Sequence, residues 1–377
     1  MRIVCINYEY PPLGGGAGNA TACMAREMAK LGAKVLVVTS SFRGQPKSEE
    51  RDGYVIRRIP TLRRHADHCR PYEMAAFMAS ACLALPSLVR EFEARAVIAF
   101  FGVPCGPAAL WTKKRLGVPY IVSLRGGDVP GFQPYDLKTY HRLTAPLIRA
   151  VWRGAAHVVA NSSGLRDLAL ASSGGVPVRV VPNGVDPGIF FPAATRADGP
   201  VRLLFVGRVV RQKGLDVLFD ALAGLGKTPE WTLDVAGDGP ARVELAARAL
   251  RLGLTERVRF LGWRGRTEMP DIFRRADAFV FPSRDEGMPN AVLEAMASGL
   301  PAVATRISGN EELVRHCETG FLVPPDDPAA LGEALARILS EPSLRTVMGA
   351  RAAKLAQTSY SWAVVAKSYL DLCKEAV

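Results

Sequence analysis

Residues 278–305 limit the possible folds more than any other part of the chain. They begin with a short apolar run that ends at Pro282 and has the length of a buried strand. A polar turn follows, and Pro289 stands where the first position of a helix would accept it. The helical pattern ends at Gly299, a proline soon prevents its continuation, and a second apolar run completes the stretch. This order of signals predicts a βαβ unit.

Two carboxylates belong to this unit, Glu286 in the turn and Glu294 in the helix. In open α/β sheets, ligands bind beyond the carboxyl ends of the strands, and the helix N-terminus that follows the turn suits a phosphate. The carboxylates could act as acid and nucleophile, as in glycoside hydrolases, or accept hydrogen bonds from sugar hydroxyls. A third interpretation is that the first of them only complements the helix dipole.

The alternation of apolar runs and helical segments continues through both halves of the chain, which is typical of doubly wound parallel sheets. At 377 residues the chain is too long for one ordinary core. We therefore expect an α/β protein of two Rossmann-like doubly wound domains that face a central cleft. The predicted domains are residues 1–186 and 187–360, with a linker over 187–200. The predicted strands are 2–7, 35–39, 97–101, 120–124, 158–160, 201–206, 231–236, 258–261, 278–281 and 302–305.

Composition places the chain among globular proteins, with 49% hydrophobic and 22% charged residues. The start of the chain lacks the layout of a signal peptide. The longest apolar stretch, residues 74–89, is interrupted by Pro86 and is expected to fall short of a membrane span. The 7 cysteines show no C-x-x-C spacing, so we expect buried thiols and a reducing cytoplasm.

The net charge of +12 is concentrated in the first half. Residues 1–186 contain 24 Lys and Arg against 13 Asp and Glu, whereas residues 187–377 contain 24 against 23. A basic half suggests an acidic partner such as a phospholipid surface, an anionic glycan or nucleic acid, although some arginine-rich proteins are basic without one. The basic segment 57–70 leads into a predicted peripheral helix, which either touches a membrane interface or packs on the sheet.

A glycine-rich loop follows the first strand and contains Gly14, Gly15 and Gly16. Consecutive glycines let backbone N–H groups approach an anion closely. The spacing does not fit the dinucleotide fingerprint, and the second strand lacks the acidic residue that would bind a ribose, so NAD is not expected. The loop either faces a phosphate or sugar or is simply a tight turn.

Two cations follow the predicted strand 201–206, Arg208 after Gly207 and Lys213 before Gly214. Arginine offers a planar fork for phosphate oxygens and lysine a point charge, so the pair would suit a diphosphate. The alternative is two solvated surface cations. The sequence shows no compact D-x-D or histidine cluster, so no metal is expected.

Taken together, these motifs resemble the retaining, family-4 glycosyltransferases with the GT-B fold. The resemblance covers nearly the whole chain and is carried by the order and spacing of the motifs. They are the glycine-rich loop, residues 182–186, 207–208, 213–214, 235–240, the E-x(7)-E pattern 286–294, residues 320–324 and 361–362.

The resemblance implies roles for residues of the second domain. Arg208 and Lys213 resemble the diphosphate clamp of a nucleotide-sugar donor, and with Glu286 they form the predicted catalytic set. Glu294 is similar to the glutamate that binds the ribose hydroxyls, and Glu286 to the one near the transferred sugar. The remaining donor-binding positions that the resemblance implies are Gly207, Gly287, Met288 and Asn290.

The resemblance also implies roles in the first domain. Gly15 and Gly16 match the loop that closes on the diphosphate or the acceptor. Arg125 occupies a position where many relatives have histidine, and because arginine cannot act as a base we expect it to stabilise phosphate or donate to a sugar, with Asp128 nearby. Residues 361–377 resemble a last helix that crosses back to the first domain.

The predicted reaction is glycosyl transfer from a nucleoside-diphosphate sugar to a hydroxyl of a glycan or lipid-linked acceptor, with retention and without a metal. The setting implied by the resemblance is cell-surface polysaccharide or glycolipid synthesis, in the cytoplasm or peripherally on the cytoplasmic face of the membrane. One alternative is a nucleotide-sugar epimerase on the same scaffold. Another is a nucleic-acid-binding protein, but the sequence offers no recognisable module or aromatic platform for one, so no nucleic acid is expected.

Overall fold

The computed structural model describes residues 1–66, 69–132, 134–194, 199–225 and 230–377. Residues 195–198 of the predicted linker and 67–68 of the basic segment therefore lie outside the described residues. The chain divides into two compact units, Met1–Gly184 together with Trp362–Val377, and Val185–Ser361. The last helix is thus part of the first unit.

The first unit is built on a sheet whose strand order, within the described residues, is β3-β4-β2-β1-β5-β6-β7-β8. Every neighbouring pair is parallel except β3 and β4. Its elements are β1 (Arg2–Ile6), α1 (Gly16–Lys30), β2 (Lys34–Ser40), β3 (Ser48–Arg51), β4 (Tyr54–Ile59), α2 (Pro71–Glu91), β5 (Ala96–Phe100), α3 (Gly106–Leu116), β6 (Tyr120–Ser123), α4 (Pro134–Gly154), β7 (His157–Ala160), α5 (Ser163–Ser173) and β8 (Val178–Val180).

The second unit has an all-parallel sheet, and among the described residues its order is β11-β10-β9-β12-β13-β14. Its elements are β9 (Val201–Val206), a 3₁₀ turn (Arg211–Lys213), α6 (Leu215–Gly224), β10 (Trp231–Ala236), α7 (Arg242–Arg251), β11 (Val258–Gly262), α8 (Met269–Arg275), β12 (Ala278–Phe281), α9 (Asn290–Ala297), β13 (Ala302–Thr305), α10 (Ser308–Glu311), β14 (Gly320–Val323), α11 (Pro328–Ser340) and α12 (Pro342–Ser359). The last helix is α13 (Trp362–Ala376).

Most of the strand sequences are continuous apolar runs because both faces of these strands are buried. Parallel strands covered by helices on both faces bury alternate side chains in two separate cores. In β1, Val4 and Ile6 belong to one core cluster and Ile3 and Cys5 to the other. The helix α13 contributes to the second cluster through an apolar face that includes Trp362, Tyr369 and Leu372.

The predicted fold class, an α/β protein with parallel sheets, is confirmed. The strands β9, β10, β12 and β13 have the bounds that the sequence predicts. The sequence missed β3, β4, β8 and β14. The strands β3, β8 and β14 are edge strands of four residues or fewer, where packing contributes less than pairing, and β4 contains two consecutive arginines that interrupt its apolar pattern. Pro289 was also misplaced, since it caps α9 from outside instead of occupying its first turn.

The expected interruption at Pro86 was wrong. The helix α2 runs through this proline for 21 residues, and among the described residues it is the one helix long and apolar enough to cross a membrane. A stripe that includes Phe77, Ala81 and Leu85 is buried in the core of the first unit. Burial of this stripe offsets the helix-breaking cost of proline, about 3 kcal/mol.

Candidate functional site

The loops at the carboxyl ends of β9 and β10 pack closely because glycine residues lie where they meet. The Gly207 N–H donates to the Ala236 carbonyl over 3.0 Å, and the Val209 N–H donates to the Asp238 carbonyl over 2.9 Å. A Cβ atom on Gly237, whose φ is 146°, would lie 1.8 Å from the Gly207 carbonyl oxygen. Only glycine permits this approach, so the sequence around Gly237 fixes the loop that carries Arg208.

Gly214 brings Lys213 to the carboxyl end of β12. It has a φ of 66°, and a Cβ atom there would lie 2.0 Å from the Pro282 carbonyl oxygen. The 3₁₀ turn can therefore pack directly on the end of the strand. As a result, residues 213 and 286, which are 73 apart in sequence, meet in space.

The Lys213 ammonium forms an ion pair with the Glu286 carboxylate, and each side chain is 12% exposed. The ammonium also lies 4.9 Å from the centroid of the Phe281 ring. Partial burial strengthens both interactions, because fewer water dipoles screen the charges. The structure thus brings together two of the predicted catalytic residues, although no sequence pattern indicates that they bind each other.

Arg208 has a different environment. Its side chain is exposed, and within the described ranges it has no hydrogen bond or ion pair. It lies on the same loop system as Lys213, after Gly207 at the end of β9. Its guanidinium is therefore available to a ligand at this edge of the sheet.

Arg284 and Gln212 hold the two halves of this site together and were not identified from the sequence. The Arg284 backbone N–H donates to the Gln212 carbonyl over 2.8 Å, and the Gln212 amide donates to the Asp285 carbonyl over 2.6 Å. The Arg284 guanidinium forms a bidentate pair with Asp216 at 3.0 and 2.8 Å. Because every one of these bonds joins the turn before Glu286 to the segment around Lys213, the network positions the ion pair.

The predicted donor-binding turn rests on α10. A Cβ atom on Gly309 would lie 2.7 Å from the carbonyl oxygens of both Glu286 and Gly287, so a side chain there would displace the turn. Met288 is buried in the core, and Asn290 is the first residue of α9. Any contact that Met288 makes with a ligand must therefore come from its backbone.

Glu294 lies one helical turn beyond Asn290 on α9. Burial raises the pKa of its carboxyl group to about 7, and the charge of Arg266 opposes the shift. No hydrogen bond reaches this carboxylate from the part of the chain that the structure describes. Its acceptor oxygens are consequently available to an external hydroxyl. Arg266, in the loop after β11, was missed from the sequence because it lacks a local motif.

In the first unit, the glycine-rich loop leads directly into α1. Gly15 is the N-cap, a Cβ atom on it would meet nothing within 4 Å, and Gly16 begins the helix. The Glu9 carboxylate accepts a hydrogen bond from the Gly15 N–H. The sequence did not single out Glu9, whose side chain a Cβ atom on Gly14 would meet.

The side chains of Arg125 and Asp128 have hydrogen-bond partners within the first unit. The Arg125 guanidinium donates to the Asn183 side chain over 2.7 Å and lies 4.8 Å from the centroid of the Phe100 ring. Asp128 is 2% exposed, and its carboxylate accepts N–H bonds from Gly102 and Arg125 at 2.7 and 2.9 Å. These contacts give Asp128 a role in holding the loop and place it next to Arg125, as the sequence predicts.

The described ranges contain no group of three or more histidine, cysteine, aspartate or glutamate side chains that could hold a metal ion.

Two family models together match nearly the whole chain. Residues 14–188 match the model described as Glycosyltransferase Family 4. Residues 189–355 match the model described as Glycosyl transferases group 1. The junction between the two matches lies beside the boundary between the two compact units.

Curated relatives carry related descriptions. The 2-deoxystreptamine glucosyltransferase of Streptomyces kanamyceticus is 28% identical over 85% of this chain and 88% of its own length. The glycogen synthase of Mycobacterium tuberculosis strain H37Rv is 28% identical over 97% of this chain and 92% of its own length.

Solved structures share the fold at low identity. Sucrose-phosphate synthase from Thermosynechococcus elongatus superposes with a TM-score of 0.82 at 21% identity, covering 100% of this chain and 98% of its own. HepE from Anabaena, solved in complex with UDP-glucose, gives a TM-score of 0.76 at 19% identity and covers 100% of both chains.

Proposed function

Because the chain belongs to the group 1 glycosyltransferases and has the GT-B fold, we propose that it transfers a sugar from a nucleoside-diphosphate sugar to a hydroxyl group with retention at the anomeric carbon. The observation that carries this proposal is the meeting of Lys213 with Glu286 at the edge of the second sheet, on the loop system that exposes Arg208. That arrangement offers two cations to a leaving diphosphate.

The cations would act on the charge that develops during transfer. As the glycosidic bond to the diphosphate breaks, negative charge accumulates on the leaving oxygens. Arg208 would donate through its planar fork, and Lys213 would contribute its ammonium once the diphosphate replaces or joins Glu286 as its partner. The N-terminus of α9 adds backbone donors beside the same turn.

Glu294 would bind the ribose of the donor. A carboxylate accepts charge-assisted hydrogen bonds from neighbouring hydroxyls, and the oxygens of Glu294 have no hydrogen-bond donor among the described residues. Burial raises its pKa to about 7, so the fraction available as a carboxylate increases through neutral pH. Donor affinity should rise over the same range.

The configuration of the anomeric carbon is retained if the acceptor hydroxyl attacks the donor sugar on the same face from which the diphosphate departs. The alternative, a covalent intermediate on Glu286, would need that carboxylate free to attack the anomeric carbon. Its ion pair with Lys213 favours a positioning role instead, since the attraction of the ammonium lowers the nucleophilicity of the carboxylate. We further propose that the reaction needs no metal, because the cations already offset the charge of the diphosphate.

The first unit would bind the acceptor, a glycan or lipid-linked hydroxyl used in polysaccharide or glycolipid synthesis. Its outer helices support a peripheral location on the cytoplasmic face of an anionic membrane. Leu83 on α2 is 84% exposed, and Trp111 on α3 is 41% exposed with the Arg115 guanidinium 4.5 Å from its ring. The last turn of α3 contains three consecutive basic residues, Lys113, Lys114 and Arg115, which an anionic surface would attract. Vesicles of phosphatidylserine should sediment the protein at low salt, and Leu83→Asp should weaken this binding.

A panel of nucleoside diphosphates and their sugars tests the proposed donor site directly. Bound ligand raises the melting temperature by mass action, so one nucleotide series should stabilise the protein and Lys213→Ala should lose the effect. UDP-glucose is the first candidate, because HepE was solved with it. If no member of the panel stabilises the chain, the donor site is refuted. Nothing in the comparisons favours the epimerase alternative, which NMR of the donor incubated alone would also detect.

A further inference from the structure

The helix α7 is apolar on two sides, although only one side packs into the second unit. Its inner side is buried through Leu245 and Ala249. Its outer side carries an apolar stripe that is exposed to solvent and consists of Val243, Ala246, Ala247 and Leu250. The first and last side chains of this stripe are 82% and 68% exposed. A solvent-facing side of a helix normally carries polar residues, so a continuous apolar stripe indicates a contact surface.

The spacing of the stripe suits the packing of a second helix. Its members follow the order i, i+3, i+4, i+7, which places them on one side of an α-helix. The two alanines at the centre let another helix approach closely, because the distance between packed helices depends on the side chains at their contact. The larger Val243 and Leu250 then pack on either side of that contact.

The charges beside the stripe determine which helix fits. Glu244 lies in the first turn of α7 and Arg251 in its last turn. They share one flank of the helix, because seven residues make about two turns. Both side chains are exposed, and neither forms an ion pair within the residues that the structure describes. Two copies of this helix are therefore complementary when they run antiparallel, since the acidic end of each then faces the basic end of the other.

An exposed tryptophan extends the apolar surface. Trp263 is 78% exposed. It follows Gly262, and a Cβ atom on that glycine would lie 3.8 Å from the guanidinium of Arg242, the first residue of α7. Trp263 therefore lies beside the N-terminal end of the stripe. Tryptophan is enriched at the centres of protein interfaces, where its ring buries a large apolar area.

We propose that the outer side of α7 is a self-association surface, through which two copies of this chain pair their α7 helices in antiparallel orientation about a twofold axis. A second copy is the partner because the complementary charges belong to the same helix, and twofold pairing forms both contacts between Glu244 and Arg251 at once. A 10-residue helix is about 15 Å long, so the surface is smaller than the ~800 Å² per partner of a stable complex. We therefore expect a weak dimer, with a dissociation constant on the order of 10–100 μM.

Sedimentation velocity of the full chain, from about 1 to 500 μM, tests this surface. The wild type should change from monomer to dimer across this range. Leu250→Glu should keep the chain monomeric, because a carboxylate would replace an apolar contact and would lie near Glu244 of the other copy. Leu83→Glu is the matched control, since Leu83 is 84% exposed on α2 of the first unit, and it should change the dissociation constant less than about twofold.

An exchange of charges tests the antiparallel orientation. Arg251→Glu creates two contacts between like charges in each dimer and should weaken association by about fivefold or more at low salt. Glu244→Arg should weaken it to a similar extent. The double variant, which exchanges both charges, should recover the wild-type dissociation constant. A double variant that associates no better than the single variants would overturn the proposed pairing.

Melting temperatures separate association from folding. The substituted side chains are exposed, so every variant should melt close to the wild type. If Leu250→Glu nevertheless lowers the melting temperature, the charge exchange still decides the proposal. A chain that stays monomeric throughout, or a dimer that Leu250→Glu leaves intact, would overturn it. Equal dissociation by Leu83→Glu would also overturn it, because association would then be a general property of exposed apolar residues.

Discussion

Replacement of Glu294 by glutamine should stabilise the free protein while weakening its binding of the donor. Burial raises the pKa of this carboxyl group from 4.5 to about 7. A raised pKa means that the charged form is disfavoured in the folded state. The contribution of this group to stability is therefore complete below pH 4.5 and is lost as the pH rises through 7.

The magnitude follows from the shift. Ionisation of the buried carboxyl group destabilises the folded state by less than about 1 kcal/mol at pH 5. At pH 8, which is above both pKa values, the destabilisation reaches about 3 kcal/mol. Glutamine cannot ionise, so Glu294→Gln should exceed the wild type in free energy of unfolding by an amount that increases by about 2 kcal/mol over this range. Glu333→Gln, on the exposed face of α11, is the matched control and should show no such trend.

The assay is chemical denaturation of the three proteins at pH 5 and pH 8, with UDP affinity measured in parallel. At pH 8, Glu294→Gln should bind UDP about 10-fold or more weakly, since charge-assisted hydrogen bonds to the ribose are lost. A stability difference that does not change with pH would refute the argument that the carboxylate is buried. Unchanged UDP affinity would refute its role at the ribose.

Three further outcomes are expected. Lys213→Ala should lower kcat by about 10²- to 10³-fold, as removal of a transition-state donor does elsewhere, with folding checked by circular dichroism; an unchanged kcat would remove Lys213 from the catalytic set. Gly237→Ala should destabilise the second unit by more than about 2 kcal/mol, because the new Cβ atom would collide with the Gly207 carbonyl. Gly253 has a φ of 69° but open space around it, so the control Gly253→Ala should cost about 1 kcal/mol. Equal melting temperatures of the two variants would contradict this. Activity should survive EDTA, and complete loss restored by Mg²⁺ would contradict a metal-free reaction.

Local sequence signals were sufficient for much of the fold. Apolar runs bounded by glycine and proline predict β12, α9 and β13, because each signal acts within a few residues of the structure that it specifies. The pairing of Lys213 with Glu286 was not predictable in this way. It depends on Gly214 packing against Pro282, a contact between distant segments that no local pattern encodes.

Residue type alone does not show how a side chain is held. Asp128 is close to Arg125 in sequence, but nothing in the sequence indicates that its carboxylate accepts hydrogen bonds from backbone N–H groups. Arg63 appeared as one member of a basic segment, and its burial depends on how the chain after β4 folds back over Tyr8. Burial and partners are properties of the folded chain, so the sequence could nominate such residues but could not assign their roles.

The placement of α13 has a consequence for biosynthesis. This helix completes a core of the first unit, yet its residues follow the entire second unit in the chain. Until a ribosome has made residues 362–376, Ile3, Ile98 and their neighbours lack Trp362 and Tyr369 as partners. The nascent first unit should therefore leave an apolar face open while the second unit is translated, at about 5–20 residues per second, which makes it a substrate for chaperones during that interval.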